Sequence, residues 1–420
     1  MNSNWMRLIN TSYRSLLTKE RNYASFNKEQ IKLYVREFSE RGTAVIFDPM
    51  SGYGTLTDIC NSMGVSTYCV EINAPAYLWQ HLCLPENKVV YCEVVKTIID
   101  TKFSLPKLDL LSEAGDDWIS KVGLNTLTQI YQSIVQTARL LAVAGDHTII
   151  ALSILLPFVC RLATVTVGDV HHIKKGGLAV YKDYDLDFYQ YLDNLYTLLS
   201  SRQTRICLTP NSLNFDNCIT SEFSGQTLRY MITSPPYPNM VDYAKMFGAE
   251  NYFIDYLRSI GLCSLPKLDH PIGTNIVKGK MSGSIVSKSA NGFLQYLTEY
   301  NAEKPCKDKH SKDKLSEEHK DNISFYVPYF RNYFFGIQES YTNVAKHADS
   351  IFEGIIIVRN NGVRARSVPV KEAIVETWEH LGFSASIDQQ EEVFHVGTKN
   401  PNAKGFKAKQ MEYAIRIWRG

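Results

Sequence analysis

Between residues 43 and 72 an apolar run, TAVIF, stops at Asp48-Pro49, passes through Gly52 and Gly54, and continues as a helix-spaced segment to Met63 and Gly64 before a second apolar run, STYCVEI. Two short apolar strands joined by one helix pair in parallel, and a parallel pair has to be covered on both faces. This unit commits the chain to an open α/β sheet. Further strand-like runs at 204–208, 228–233, 352–358, 391–396 and 412–418, with helical spacing at 27–40, 124–142 and 370–382, extend it. The expectation is a doubly wound, mostly parallel sheet with helices on both faces, ending in an antiparallel hairpin.

At 420 residues, 45% of them hydrophobic, the chain is long enough for one large domain with insertions or for two domains. A net charge of +2 makes any nucleic-acid surface local rather than global. Nine cysteines without a CxxC pair suit free thiols in a reducing cytoplasm, and His171-His172 lacks the spacing of a ligand set, so no metal is expected. The apolar stretch 149–167 is interrupted by Pro157 and Arg161 and reads as buried core, not as a membrane span; the first residues carry no apolar signal core. A soluble cytoplasmic protein is expected. The pattern divides into 1–80, a mainly helical insertion at 81–203, and 204–420. The last part contains a mobile, lysine-rich loop at about 273–322.

Two short segments carry chemistry. In 48-DPMSGYGT-55 the glycines lie between strand and helix, where a missing Cβ lets a ligand approach the backbone, and Glu71 follows about 20 residues later, where nucleoside-binding sheets place a ribose-binding carboxylate. In 229-RYMITSPPY-237 an apolar strand ends on two prolines that fix φ and remove their own N–H donors. The Ser234 hydroxyl and the Pro235 carbonyl are thereby left to point at a ligand.

FDPMSGYGT, YCVEI and TSPPY together resemble the S-adenosylmethionine-dependent amino-methyltransferases, which methylate an exocyclic amine of a DNA base. The resemblance implies a Rossmann-like, seven-stranded methyltransferase sheet. It implies that Asp48, Pro49, Met50, Gly52, Gly54 and Thr55 hold the methionine part of S-adenosylmethionine, and that Glu71 and Ile72 hold its ribose. The segment 23–38, with Phe26, is similar to the family's cofactor-binding segment before the first strand. The stretch 205–215, with Asn211 and Ser212, is similar to its adenine-contacting third strand. Ser234, Pro235, Pro236 and Tyr237 would catalyse, with Ser234 also beside the cofactor. Met50 stands where the family usually has Phe, and Asn211-Ser212 where an acidic residue is common.

An exocyclic amine is a poor nucleophile because its lone pair is delocalised into the ring. Acceptors at Ser234 Oγ and the Pro235 carbonyl would make the nitrogen more tetrahedral, and Tyr237 would stack on a base flipped out of the duplex. In the family it resembles, Ser before Pro-Pro leans toward cytosine N4; an adenine-N6 enzyme, an RNA amino-methyltransferase and a non-catalytic recognition subunit are the alternatives. The partner is then double-stranded DNA, with a cognate restriction endonuclease or phage-defence system beside it. Candidate phosphate contacts are Lys174 and Lys175, Arg364 and Arg366, and Lys399, Lys404, Lys407 and Lys409 in an acid-free segment.

Overall fold

The computed structural model describes residues 28–42, 45–105, 114–115, 118–159, 165–167, 173–175, 177–178, 184–201, 207, 209–219, 221, 223, 227–238, 247–267, 272, 283–299, 325–359, 362–363, 366–394 and 409–419. Seven strands form one sheet: β1 (Val45–Asp48), β2 (Ser66–Glu71), β3 (Ser212–Phe215), β4 (Leu228–Thr233), β5 (Ala348–Arg359), β6 (Ser384–Phe394) and β7 (Lys409–Trp418). Their order across the sheet is β6-β7-β5-β4-β1-β2-β3. β3, β2, β1, β4 and β5 run parallel, and β7 runs antiparallel to both of its neighbours, so the sheet ends in the expected hairpin. This is a mixed α/β sheet compatible with a Rossmann-like fold.

Alternation along the strands builds a core on each face. Ile46, Tyr230, Ile232, Ile355, Ile357 and Ala414 face α1 (Lys28–Glu40) and α2 (Thr55–Met63). The intervening Phe47, Met231, Ile356, Val358 and Ile415 face α9 (Lys288–Glu299), α10 (Val327–Lys346) and α11 (Val370–His380). Period two in the strands thus matches burial on both sides, as a covered parallel sheet requires. α1 shows the helical counterpart: Ile31, Tyr34, Val35 and Phe38 are buried at i, i+3, i+4 and i+7, and Phe38 stacks on Tyr230 with ring centroids 4.7 Å apart.

Trp378 of α11 anchors the second core. It is fully buried among Tyr341, Phe352 and Phe383, whose centroids lie 5.2, 5.8 and 4.9 Å away. Trp378→Ala should therefore cost about 3–5 kcal/mol of stability, read from the denaturant midpoint. A loss under about 1 kcal/mol would contradict this packing.

A third core belongs to the helices α3 (Ala74–Cys83), α4 (Lys88–Thr101), α5 (Lys121–Leu140), α6 (His147–Val159), α7 (Tyr184–Ser201) and α8 (Gly248–Ser259). The described residues between 81 and 203 are mainly helical, and their core is completed from outside that stretch. α3 precedes the insertion and α8 follows the Pro-Pro segment, so the helical layer is tied to the sheet on both sides.

The third strand is Ser212–Phe215, within the stretch 205–215 expected to supply it. Of the strand-like run 204–208 only Cys207 is described, and it is outside any strand. One expectation is corrected. The presumed loop at 273–322 contains α9. Ser287 accepts from the Ala290 N–H at 3.0 Å and donates to Glu376 at 2.6 Å, and Ser289 donates to the same carboxylate. Serines that read as loop in the sequence are capping a helix and fastening it to α11. The rest of the stretch, 273–282 and 300–322, lies outside the described residues. Among the described residues no helix is long and apolar enough to cross a membrane.

Candidate active site at the carboxyl ends of the central strands

β1 continues to β2 and β3 on one side, whereas β4 and β5 lie on the other, so the strand order reverses between β1 and β4. Ligands of open α/β sheets bind outside the carboxyl ends of the strands at such a point. Asp48 ends β1, Glu71 ends β2, Ser234 follows β4 and Arg359 ends β5. Residues far apart in the chain are thus brought to one rim.

Asp48 is 2% exposed and accepts from the Thr233 hydroxyl at 2.7 Å and the Met50 N–H at 3.2 Å. Burial pushes its carboxyl up to about 7, against the pull of those two donors. Glu71 accepts from the Gly52 N–H at 2.6 Å and the Asn73 N–H at 2.7 Å. Burial likewise raises it to about 7, and the neighbouring Asp48 charge adds to the shift. Pro49 is buried, Thr55 opens α2, and half-buried Met50 packs against the Phe47 and Tyr68 core.

The two glycines have different reasons. Both take positive φ, 53° at Gly52 and 73° at Gly54. A Cβ on Gly52 would meet nothing within 4 Å, so the open approach lies there. A Cβ on Gly54 would fall 2.8 Å from Gln80 Cγ and Oε1. Gln80, 2% exposed on α3, donates to Ser51 Oγ at 2.7 Å and to the Gly52 carbonyl at 2.6 Å, which locks the turn. Its Oε1 and the Asn73 Oδ1 are buried acceptors without a hydrogen-bond partner. Unmet buried acceptors of this kind are costly and point to donors from a ligand.

At the Pro-Pro segment the Ser234 hydroxyl donates to the Tyr237 hydroxyl at 3.1 Å, and Tyr333 of α10 donates to the Pro236 carbonyl at 2.9 Å. Tyr237 is 3% exposed, and burial raises its hydroxyl to about 12. A ring offered as a stacking platform would be open on one face; here the ring is covered, and its hydroxyl orients Ser234. Pro235 is buried and Pro236 half-buried. Arg359 lies with its guanidinium carbon 6.0 Å from the Tyr237 centroid and donates to Glu412 of β7 at 2.6 Å, both side chains being buried.

Asn211 and Ser212 are not at this rim. Asn211 Oδ1 accepts from the Thr67 N–H and hydroxyl, both at 2.9 Å, while its amide donates to Glu86 at 2.8 Å. Ser212 pairs with Tyr68, three residues before Glu71 pairs with Phe215. They sit about 10 Å down the strand, at its amino end. The acid that does reach this rim is Asp216, directly after β3, whose N–H donates to the Glu71 carbonyl at 3.2 Å. Half-buried Ile72 follows Glu71.

Sequence reasoning missed Thr233, Asn73, Gln80, Asp216, Arg359 and Glu412. Only Asp216 had a usable signal, an acid immediately after a strand. Phe26, Arg364, Lys399, Lys404 and Lys407 lie outside the described residues. Lys174 and Lys175 belong to the short strand Ile173–Lys175 and Lys409 opens β7, but their side chains are not described. Arg366 is exposed, its guanidinium 4.4 Å over the Tyr296 ring of α9.

The two raised carboxyls give the protein a pH signature. Below about pH 4 both the folded and the unfolded chain hold these protons. Between about 4 and 7 the unfolded chain releases protons that the folded site retains, so stability falls by up to about 1.4 kcal/mol per pH unit and group. Above about 7 both states are ionised and this decline stops. Asp48→Asn should make the fall in urea midpoint between pH 5 and 7.5 shallower. An identical fall in the variant would contradict the assignment.

Neither the known family models nor the curated proteins contain a match to this chain.

Proposed function

We propose that the protein transfers a methyl group from S-adenosylmethionine to an exocyclic amine of a DNA base, with cytosine N4 as the target. The observation that carries this reading is the convergence of Asp48, Glu71 and Ser234 at the point where the strand order reverses. The residues present fit the cofactor. Two buried carboxylates suit a ligand that carries an ammonium, ribose hydroxyls and a positive sulfonium, and Asn73 Oδ1 and Gln80 Oε1, without a partner among the described residues, supply further acceptors. Glu71 would hold the ribose, Asp48 the methionine end, and Asp216 takes the place of Asn211 and Ser212 toward the adenine.

When bound, the cofactor supplies an electrophilic methyl group. The chain's part is to make the amine a nucleophile. Ser234 Oγ spends its one hydrogen on Tyr237, which leaves its two lone pairs as acceptors. With the Pro235 carbonyl it takes the two hydrogens of the amine as the nitrogen turns tetrahedral. The prolines fix this pair, and the Tyr333 bond to the Pro236 carbonyl fastens the segment to α10. The methylated amine is strongly acidic and gives its proton to water, so no dedicated histidine is needed.

Double-stranded DNA is the proposed partner, with a restriction or phage-defence system as the setting. Sequencing genomic DNA from an expressing host with modification-sensitive reads tests the reading. N4-methylcytosine at one recurring site is expected. N6-methyladenine there would establish the adenine alternative, and unmodified DNA would remove the proposal.

A further inference from the structure

An open cavity of about 430 Å³ lies at the other end of the sheet, lined by Arg41, Arg229, Arg416 and Arg419 together with Tyr230 and Trp418. It sits where α1 ends, β4 and β5 begin and β7 finishes. Glu353 of β5 lines it, six residues before Arg359 on the same strand, which separates it from the Ser234 rim by about 20 Å.

The four arginines are not equivalent. Arg41 and Arg416 are spent: both pair with Glu37 and Glu353, and Arg416 also pairs with Asp388. Those carboxylates hold the Arg416 guanidinium well above its ordinary value. Arg229 and Arg419 form no ion pair among the described residues. Arg229 lies over the Tyr230 ring at 5.3 Å and Arg419 over the Phe383 ring at 4.1 Å, so each is held by an aromatic face that leaves its N–H fork unused. The acid that acts on Arg229 is half-buried Asp349, whose carboxyl accepts from the Ser350 hydroxyl and from the Ile351 N–H.

We propose that this cavity binds a small phosphate-bearing ligand of nucleotide size. Its volume falls within the range of about 300–1,000 Å³ common to small-molecule sites. Two guanidiniums that form no ion pair among the described residues match the oxygens of a phosphate, which arginines engage in pairs of parallel hydrogen bonds. Trp418 supplies a planar apolar surface for the remainder of the ligand. Arg41 and Arg416 are shared among Glu37, Glu353 and Asp388, so Arg229 and Arg419 are the charges left to meet the anion.

The test uses calorimetric titration of the full chain with UMP, pyrophosphate and uridine, none of which carries the adenine that the Ser234 rim would recognise. Saturable binding of UMP and pyrophosphate is expected, with none for uridine. Arg229→Gln combined with Arg419→Gln should weaken UMP binding at least tenfold without moving the melting temperature of the free protein. Should that double variant fail to fold, Arg229→Lys, which keeps the charge but loses the fork, should weaken UMP severalfold. A short DNA duplex that competes with UMP would make backbone phosphates the source of the anion, and one that does not compete would make it a free nucleotide. Failure of the wild type to bind either phosphate probe, equal binding of uridine, or unchanged affinity in the folded variants would overturn the proposal.

Discussion

Ser234→Ala is expected to lower the rate of methyl transfer on the order of a hundredfold, with cofactor and DNA binding close to unchanged. The hydroxyl sits 3.1 Å from Tyr237 and is committed as a donor, so the interaction it has left to make is acceptance of a hydrogen. That acceptance strengthens as the amine leaves the plane of the base, and it is therefore felt more in the transition state than in the bound substrate. Tyr237→Phe should reproduce a smaller part of the loss, because it frees the Ser234 hydroxyl to turn without removing it. Single-turnover rates beside binding constants separate these effects. A Ser234→Ala enzyme with a normal rate would make the Pro-Pro segment a structural turn only.

Gly54→Val is expected to unfold the glycine turn and abolish S-adenosylmethionine binding with it. A β-branched residue at φ 73° is strained by about 1–3 kcal/mol. Its Cβ would also meet Gln80 at 2.8 Å, displacing an amide that holds Ser51 and the Gly52 carbonyl, and each lost buried bond costs about 1–3 kcal/mol. Gly52→Ala is the informative partner. Its methyl enters open space at φ 53°, costing about 1–2 kcal/mol, yet stands where the ligand would approach. Denaturation should show the larger loss for Gly54→Val, whereas calorimetry should show lost binding in both. Equal midpoints for wild type and Gly54→Val would contradict the packing of Gln80 against the turn.

Local patterns carried the fold well where burial alternates strictly. The Val45–Asp48 and Ser66–Glu71 strands, the helix at Lys28–Glu40 and the closing hairpin were all legible from apolar spacing. β3 was bounded only loosely, within 205–215, because SLNF is only half-buried at the sheet edge and its position is set by Asn211 gripping Thr67. The site was half legible. Asp48, Glu71 and Ser234 stand in short motifs, but Gln80 and Asn73 matter through atoms left unpartnered, which no sequence pattern displays. Arg359 and Glu412 meet only because β5 and β7 pair in that register. Tyr237 shows the limit of motif reading: its place was evident, yet its covered ring and its bond to Ser234 are set by tertiary packing.

The most direct measurement is transfer of labelled methyl from S-adenosylmethionine to duplex DNA by the purified full-length chain, followed by digestion and nucleoside analysis. Label is expected in N4-methylcytosine, appearing about a hundredfold more slowly with Ser234→Ala and undiminished with Arg229→Gln. Label in N6-methyladenine would move the target to adenine, and label only in RNA would remove the DNA assignment. A wild-type protein that binds S-adenosylmethionine and DNA yet transfers nothing to any nucleic acid carrying its site would contradict the account.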